Sequence, residues 1–376
     1  MRWRGRVPEI DLVRVVTFGA VVGVHAVSLS FTSLDVGGNA ALMLLHYTRS
    51  AFFVFMAILL VRSAERSGRT GKLRRRLTLV GAPYLVWSVI YLLVSWATGG
   101  RDRPWDGAGL ALLTGTAWYH LYFLLVTMQF YVLLPVFLWL LRRTRRHPWA
   151  LLGAGLAVAV VFTGWLHYGS WAPGPLATYR AYEGQLLPTY VFLFVAGGVA
   201  ALHLDAVLEW LTEHRRAVLA GTLAGAVAME VLYFVLVATG TRADTAADPV
   251  QPVMQIWAVV LVAGLGAAAT RWTAAGAPHV RWVDRASDLS FGVYLVHPLL
   301  LLGLFDLPWA STPPAAVSAV VATVLALGAS LLIAEIARRT PASLPLTGRP
   351  RRRPQQAQVR GRPPTGRARP PLEGVT

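Results

Sequence analysis

Cysteine is absent from the 376 residues of this chain. Disulfides, thiolate nucleophiles and cysteine-ligated metals are therefore excluded. Charged residues are also scarce, at 14% of the chain, whereas soluble domains carry roughly a quarter. Lysine is nearly missing, because Lys72 is the single lysine among 35 basic residues. Hydrophobic residues make up 55% of the whole chain, a composition typical of a membrane protein.

The apolar residues are grouped in runs of about 17–24, the length at which a helix crosses a bilayer. Such runs predict an all-α, polytopic membrane protein with about ten transmembrane helices, at 12–31, 41–61, 77–97, 119–141, 150–168, 187–204, 217–239, 253–270, 289–305 and 315–337. The apolar stretch 108–118 is a candidate interfacial or re-entrant helix. The first run is too long for a signal peptide and has no cleavage site after it, so we expect it to be retained.

The positive charges are distributed unevenly over the loops between these runs. If the N-terminus is cytoplasmic, the basic residues concentrate in the loops on that side, and an even number of spans places both termini in the cytoplasm. The net charge of +17 then indicates topology and contact with anionic lipid, not nucleic-acid binding. We expect a multi-pass protein of the cell (plasma) membrane, in contact with the lipid bilayer.

The C-terminal segment differs in composition from the rest of the chain. From Arg338 onward it is rich in proline and arginine and has too few apolar residues to bury a core. The sequence therefore predicts a transmembrane domain at 1–337 and a disordered cytoplasmic tail at 338–376.

Arg14 and His25 are the most informative residues, because ionisable side chains inside a span usually face a bundle interior or a cavity. They are eleven residues apart, which is three helical turns plus about 20°, with a rise of about 16 Å. Both side chains therefore project from nearly the same face. This pattern predicts a groove with a cation near the cytoplasmic surface and a titratable base deep in the membrane.

Other polar residues fall close to the depth of His25 when depth is estimated at about 1.5 Å per residue. We predict that they converge on one layer in the outer half of the membrane: His46, Arg49, Gln129, Glu230 and, slightly lower, His297. Three more histidines fall at the ends of spans and are expected at the interface: His120, His167 and His203.

Structural roles stay open as alternatives for this layer. Glu230 and Arg49 could form an ion pair, and Gln129 could make a hydrogen bond between helices. His297 precedes Pro298 and could pack at a kink.

Five segments, taken in chain order, resemble the acyltransferase-3 family of integral membrane acyltransferases: EIDLVRVVTFGAVVGVHA (9–26), RSAFFVFMAILL (49–60), KLRRRLTLVGAPYLVWSVIY (72–91), WYHLYFLLVTMQFYVLLPVF (118–137) and SDLSFGVYLVHPLL (287–300). Arg14 and His25 match the spacing of the arginine and histidine in the first span of that family. The chain departs from the family pattern at Met56 and Ala57, where a Ser-Gly pair is usual, and at Tyr122, where tryptophan is common.

The resemblance implies transfer of an acyl group, commonly acetyl from cytoplasmic acetyl-CoA, to a hydroxyl of a carbohydrate or a glycosylated natural product. A positioned imidazole can take the proton of an attacking alcohol, so His25 is the candidate general base. Arginine suits phosphate geometry, and the candidate contacts for CoA are Arg14, Arg74, Arg75 and Arg76. The candidate substrate contacts are Arg49, His46, Gln129, Glu230 and His297.

Within this hypothesis, acyl-CoA is the donor substrate and no metal is needed. We expect Glu230 to orient His25 and Arg49 to stabilise negative charge on the thioester oxygen.

Two other classes of function fit parts of the pattern. A multi-span transporter could use a mid-membrane site of histidine, glutamate and arginine, although the sequence has no inverted repeat. A non-catalytic scaffold could use the basic tail to recruit partners.

Overall fold

The computed structural model describes residues 7–67, 73–169 and 180–351. Within these ranges all regular elements are helices, and none of the described residues forms a β-strand. Nine helices have the length of a membrane span: α1 (Pro8–Ser30), α3 (Tyr47–Ser67), α4 (Leu73–Ala97), α6 (Tyr122–Arg143), α7 (Pro148–Tyr168), α10 (Arg215–Ala238), α12 (Val253–Ala274), α13 (Val280–Phe305) and α14 (Ala315–Ala337). The shorter helices are α2 (Val36–Leu45), α5 (Ala108–Thr114), α8 (Val191–Leu202), α9 (Leu204–Glu213), α11 (Ala243–Ala246) and α15 (Ser343–Thr347).

The number of membrane crossings agrees with the sequence. The described part of the chain holds nine candidate spans, or ten if the bent pair Leu187–Leu202 and Leu204–Glu213 counts as one. The all-α polytopic fold is therefore confirmed, while the orientation of the termini stays a prediction.

The bent pair lies where the sequence predicted the sixth span, 187–204. α8 is wholly apolar, but α9 turns away from it by 90°. Exposed acidic side chains recur every fourth residue along α9, at Asp205, Glu209 and Glu213. Since positions four apart share a face, α9 has one acidic stripe, as expected for a helix that lies along a membrane surface.

α1 runs through the middle of the bundle, where it contacts α2, α3, α12, α13 and α14. Much of its surface therefore faces the interior of the protein, although Val16 and Leu29 are exposed. Close packing elsewhere depends on small residues: α8 approaches α3 at Gly197, where an added Cβ would lie 2.3 Å from the carbonyl oxygen of Val54. Such contacts are typical of helix pairs in membranes.

The packed structure extends past the predicted domain boundary at 337. α15 contacts α4, α13 and α14, and both Ser343 and Thr347 are buried. The indole of Trp87 donates a hydrogen bond to the carbonyl of Leu346 (3.2 Å). The predicted tail therefore starts too early, because Leu346 and its neighbours find an apolar surface on α4 that composition alone does not reveal; residues 352–376 lie outside the described residues.

Candidate active site

α1 faces a cavity of about 410 Å³ at its C-terminal half, here called the His25 cavity. Its polar lining comes from α1, from the junction of α2 and α3, from the start of α6 and the segment before it, and from α13. It includes His25, His46, Arg49, Tyr119, His120, Tyr122 and Tyr294. The structure therefore brings three of the predicted site residues, His25, His46 and Arg49, to one cavity.

Two further histidines, His297 and His120, lie close to His25. The ring of His297 on α13 lies 5.3 Å from that of His25, measured between centroids, and the planes are inclined by 25°. The ring of His120 lies 5.7 Å from that of His297 at an angle of 72°. The described residues contain no group of three histidine or acidic side chains arranged to hold a metal ion.

His297 lies behind His25 and does not line the cavity. Its side chain is completely buried, and its Nδ1 is 3.1 Å from the carbonyl oxygen of Val293 one turn earlier. Its predicted contact with substrate is therefore not what the structure provides. The burial instead places His297 where it can support the His25 ring.

His120 lies in the cavity wall, although the sequence indicated an interfacial position. It is buried, and neither ring nitrogen has a hydrogen-bond partner among the described residues. Its backbone carbonyl accepts a hydrogen bond from the Tyr294 hydroxyl, which draws the segment before α6 into the bundle. The sequence prediction counted depth along a continuous helix, whereas α6 begins only at Tyr122.

His46 and Arg49 hold a loop against the cavity. The Nδ1 atom of His46 is 2.7 Å from the carbonyl oxygen of Ala247, and Nη2 of Arg49 donates to the carbonyl oxygen of Pro249 (2.7 Å). Arg49 also stacks over the ring of Tyr190, 5.5 Å from its centroid, while its Nε has no partner within the described ranges. Both side chains thus fasten the loop and still face the cavity.

Gln129 does not line the His25 cavity. Its Nε2 donates to the carbonyl oxygen of Gln185 (2.9 Å), and its Oε1 accepts a hydrogen bond from the backbone N–H of Leu187 (3.2 Å). Both ends of the amide are therefore occupied by one loop. The predicted substrate contact is replaced by a structural bond from helix to loop.

Glu230 does not line the His25 cavity. α10 packs against α12 and α2, and Glu230 lies in a shallow groove with Leu44 and Phe234. The described residues include no ion pair between Glu230 and Arg49. The structure therefore shows no contact that supports the predicted roles of Glu230, because equal depth does not fix the direction in which a side chain faces.

The N-terminal half of α1 faces a second cavity of about 260 Å³, here called the Arg14 cavity. The guanidinium of Arg14 donates to the hydroxyls of Ser287 (3.1 Å) and Ser290 (3.0 Å) on α13. Asp11 lies 3.8 Å from the same guanidinium and accepts a hydrogen bond from Ser287 (2.6 Å). These contacts fix the direction of Arg14 at the cavity wall.

Three aromatic side chains belong to the walls of both cavities: Phe52, Phe123 and Tyr294. The ring of Phe123 lies 5.8 Å from that of Phe52 and 5.5 Å from that of Tyr294. These three rings, here called the aromatic partition, separate the cavities. The predicted single groove is therefore two chambers, with the predicted base in one and the predicted cation in the other.

The predicted CoA-binding arginines lie at the Arg14 end of the bundle, in the first turn of α4. Arg74 and Arg75 are exposed and Arg76 is half-buried. None of them lines the Arg14 cavity, although Arg76 interacts electrostatically with Tyr131, which does.

The long apolar helices define a multi-pass membrane protein. Inside it, an imidazole and a guanidinium line two chambers that share an aromatic wall. The family model described as "Acyltransferase domain" (acyltransferase-3) matches residues 7–335, nearly the whole chain. The protein belongs to this family, and it is a membrane acyltransferase. No curated protein and no solved structure gives a significant match to the chain.

Proposed function

We propose that this protein transfers an acyl group, in the simplest case acetyl, from acyl-CoA to a hydroxyl of a carbohydrate or a glycosylated natural product at the plasma membrane. The observation that carries the proposal is the placement of His25 and Arg14 on one helix, in two chambers that share one aromatic wall. The proposal assigns the donor to the Arg14 cavity and the acceptor to the His25 cavity.

The assignment of the donor to the Arg14 cavity is supported by the arginine side chains at that end of the bundle. Arg14 is held in place by two hydroxyls, and the arginines at 74–76 lie at the same end of the bundle. Guanidinium groups bind phosphate oxygens in pairs of hydrogen bonds. The CoA phosphates would therefore stay at this end, which is the predicted cytoplasmic side, while the thioester on its long arm covers the rise of about 16 Å to His25.

The aromatic partition lies across the route of the thioester. Phe52 and Phe123 are only partly buried, so their rings can turn within the space of the two chambers. We infer that the rings separate when the donor arm enters. Between turnovers they would keep water on one side from reaching the other.

The assignment of the acceptor to the His25 cavity is supported by the imidazole of His25, which lines this cavity. His25 takes the proton of the acceptor hydroxyl as its oxygen attacks the thioester carbonyl. The new C–O bond forms, the C–S bond breaks, and the proton leaves with the CoA thiolate. Arg49 lines the same chamber, and its guanidinium would stabilise the negative charge that develops on the carbonyl oxygen.

The acceptor must fit a chamber of about 410 Å³ that is walled by rings such as Tyr119, Tyr122 and Phe123. A cavity of this size and lining binds a small molecule or a single sugar ring. A terminal sugar of a larger glycan would enter with only its reacting ring inside.

The proposal is tested in sealed membrane vesicles that contain the protein. Labelled acetyl-CoA is supplied at the Arg14 side, a pool of carbohydrate acceptors is enclosed, and products are identified by mass spectrometry. We expect acetylated product from the wild type and at least about 100-fold less from H25A, at equal amounts of folded protein. Movement of solute without product would support a transporter instead.

A further inference from the structure

The segment after the last span forms a hook, defined here as residues 343–349. It lies beyond residue 335, where the family match ends. The hook is tied to itself, since the hydroxyl of Ser343 donates to the carbonyl oxygen of Arg349 (2.8 Å). It is tied to the bundle by the hydrogen bond from Trp87 to Leu346.

A tight turn at Gly348 directs the end of the hook. Gly348 has φ of +65°, a conformation that glycine adopts without strain. An added Cβ would also lie 2.3 Å from Cε1 of Phe291 and 3.0 Å from the carbonyl oxygen of Leu79. Only glycine fits this turn, and the turn delivers Arg349 to the wall of the Arg14 cavity.

Arg349 and Arg14 contact the same turn of α13. Nη1 of Arg349 lies 3.2 Å from Oδ1 of Asp288, while Arg14 binds the hydroxyls of Ser287 and Ser290. Two guanidinium groups thus reach one chamber from opposite ends of the sequence. The side chain of Arg349 is 40% exposed, so it is accessible to a ligand.

We propose that Arg349 is a second cationic contact for the nucleotide phosphates of the acyl-CoA donor, presented to the Arg14 cavity by the hook. This inference rests on the proposed function. A half-exposed ion pair such as that of Arg349 and Asp288 is weak, and a phosphate offers the guanidinium more acceptor oxygens. Phosphate therefore competes with Asp288 for Arg349, whereas Arg14 stays fixed by its hydroxyl partners.

The test measures binding of CoA to the purified full-length protein in nanodiscs of neutral lipid. R349A is compared with R349K and with the control variant R351A. In the wild type, Arg351 is exposed and its Nε donates to the carbonyl oxygen of Arg339. Because one charge-assisted contact is lost, R349A should weaken CoA binding about tenfold. R349K should fall between R349A and the wild type, and R351A should change binding less than twofold.

Two further measurements separate phosphate recognition from other effects. Pantetheine, which lacks the nucleotide phosphates, should inhibit CoA binding equally well in the wild type and R349A, since the cavity itself is intact. Repeating the titration in nanodiscs with anionic lipid tests the lipid headgroup as the phosphate source. If anionic lipid, and not CoA, distinguishes R349A from the wild type, the donor role of Arg349 is overturned.

The outcomes also separate this inference from the proposed function. Equal CoA binding by R349A and the wild type overturns the role of Arg349 alone. Failure of the wild type to bind CoA overturns the donor assignment and this inference together. G348A supplies an independent check, because it displaces the hook while keeping the arginine and should lose CoA affinity as R349A does.

Discussion

The imidazole of His297 lies nearly parallel to that of His25, with the ring centroids 5.3 Å apart. His25 lines the cavity, whereas His297 is completely buried behind it. The two rings come from α1 and α13 and are thus brought together only by the fold. Under the proposed function, this arrangement predicts different tasks for the two histidines: His25 would contact the substrate, and His297 would act as a positioning residue.

Replacement of these two histidines should separate those tasks. H25A removes the proposed base, and general-base catalysis contributes about 10²–10⁴-fold, so kcat should fall by that amount. H297F keeps a flat ring beside His25 but no nitrogen, and should lower kcat about tenfold without changing KM for acyl-CoA. Initial rates in membrane vesicles, normalised to folded protein, give both values.

The same rates in H297F decide which histidine reacts. A loss as large as that of H25A would mean that His297 itself takes part in proton transfer. Full activity of H25A would remove the chemical basis of the proposed mechanism.

The aromatic partition predicts a change in acyl-chain preference. F52A removes one ring shared by the two chambers and leaves more room for the acyl group. We expect kcat/KM for butyryl-CoA to rise severalfold relative to that for acetyl-CoA. The measurement is the ratio of initial rates with the two donors.

Phe53 is the matched control for this variant. It is adjacent in sequence but completely buried. It packs against Tyr190, Phe194 and the outer side of Phe123, and it lines neither cavity. F53L should lower stability and leave the donor ratio unchanged. If both variants shift the ratio alike, the partition does not select the acyl group.

The axial positions of the site residues could be predicted from the sequence because helix rise is regular. Arg14 and His25 share one helix, so their common face also follows from helix geometry, and the structure places both in cavity walls. Gln129 and Glu230 lie on other helices, and nothing in the sequence fixes the rotation of those helices about their axes. Their predicted depth was therefore uninformative about the direction in which they face.

Residues outside regular spans were the hardest to predict. His120 reaches the cavity on an irregular segment, and Arg349 reaches it through the turn at Gly348. Both depend on contacts between segments distant in sequence, such as Tyr294 with the carbonyl of His120. Composition could only classify the region of Arg349 as rich in proline and arginine.

Glu230 supplies a test of the corrected position. E230Q removes a charge from the groove beside Leu44 and Phe234, which is separate from both chambers. Transfer activity and KM for acyl-CoA should match the wild type within about twofold. A large loss in kcat with folded protein would show that Glu230 takes part in the transfer reaction after all.

Gln129 should affect stability more than catalysis. Q129M keeps the length of the side chain but leaves the N–H of Leu187 and the carbonyl of Gln185 without their bonds. An unsatisfied buried polar group costs about 1–3 kcal/mol, so thermal unfolding in detergent should occur at lower temperature. KM for acyl-CoA should not change.

Q129E refines this prediction, because a carboxylate still accepts from Leu187 but cannot donate to Gln185. Its unfolding temperature should lie between those of the wild type and Q129M. A raised KM in either variant at unchanged stability would indicate a direct substrate contact.

Asp248 lies in the loop that His46 and Arg49 fasten, and it predicts a pH-dependent stability. Burial raises the pKa of Asp248, but hydrogen bonds from the His167 imidazole and the backbone N–H of Val250 outweigh burial, so the pKa lies below its ordinary value of 3.8. A carboxyl with a lowered folded-state pKa stabilises the protein above its unfolded-state pKa. That stabilisation is lost as the pH falls through the folded-state pKa.

D248N should therefore unfold at a lower temperature than the wild type above about pH 5, with a difference of about 1–2 kcal/mol. The difference should shrink below about pH 4, because the wild-type carboxyl is then protonated as well. Thermal unfolding of both proteins in detergent, followed from pH 3.5 to 8, measures this. D244N is the exposed comparison: the hydrogen bond from Arg242 also lowers the pKa of Asp244, but this pair lies at the surface, so its pH-dependent contribution to stability should be much smaller. A difference between D248N and the wild type that persists unchanged at the lowest pH would show that the charge of Asp248 does not hold the loop.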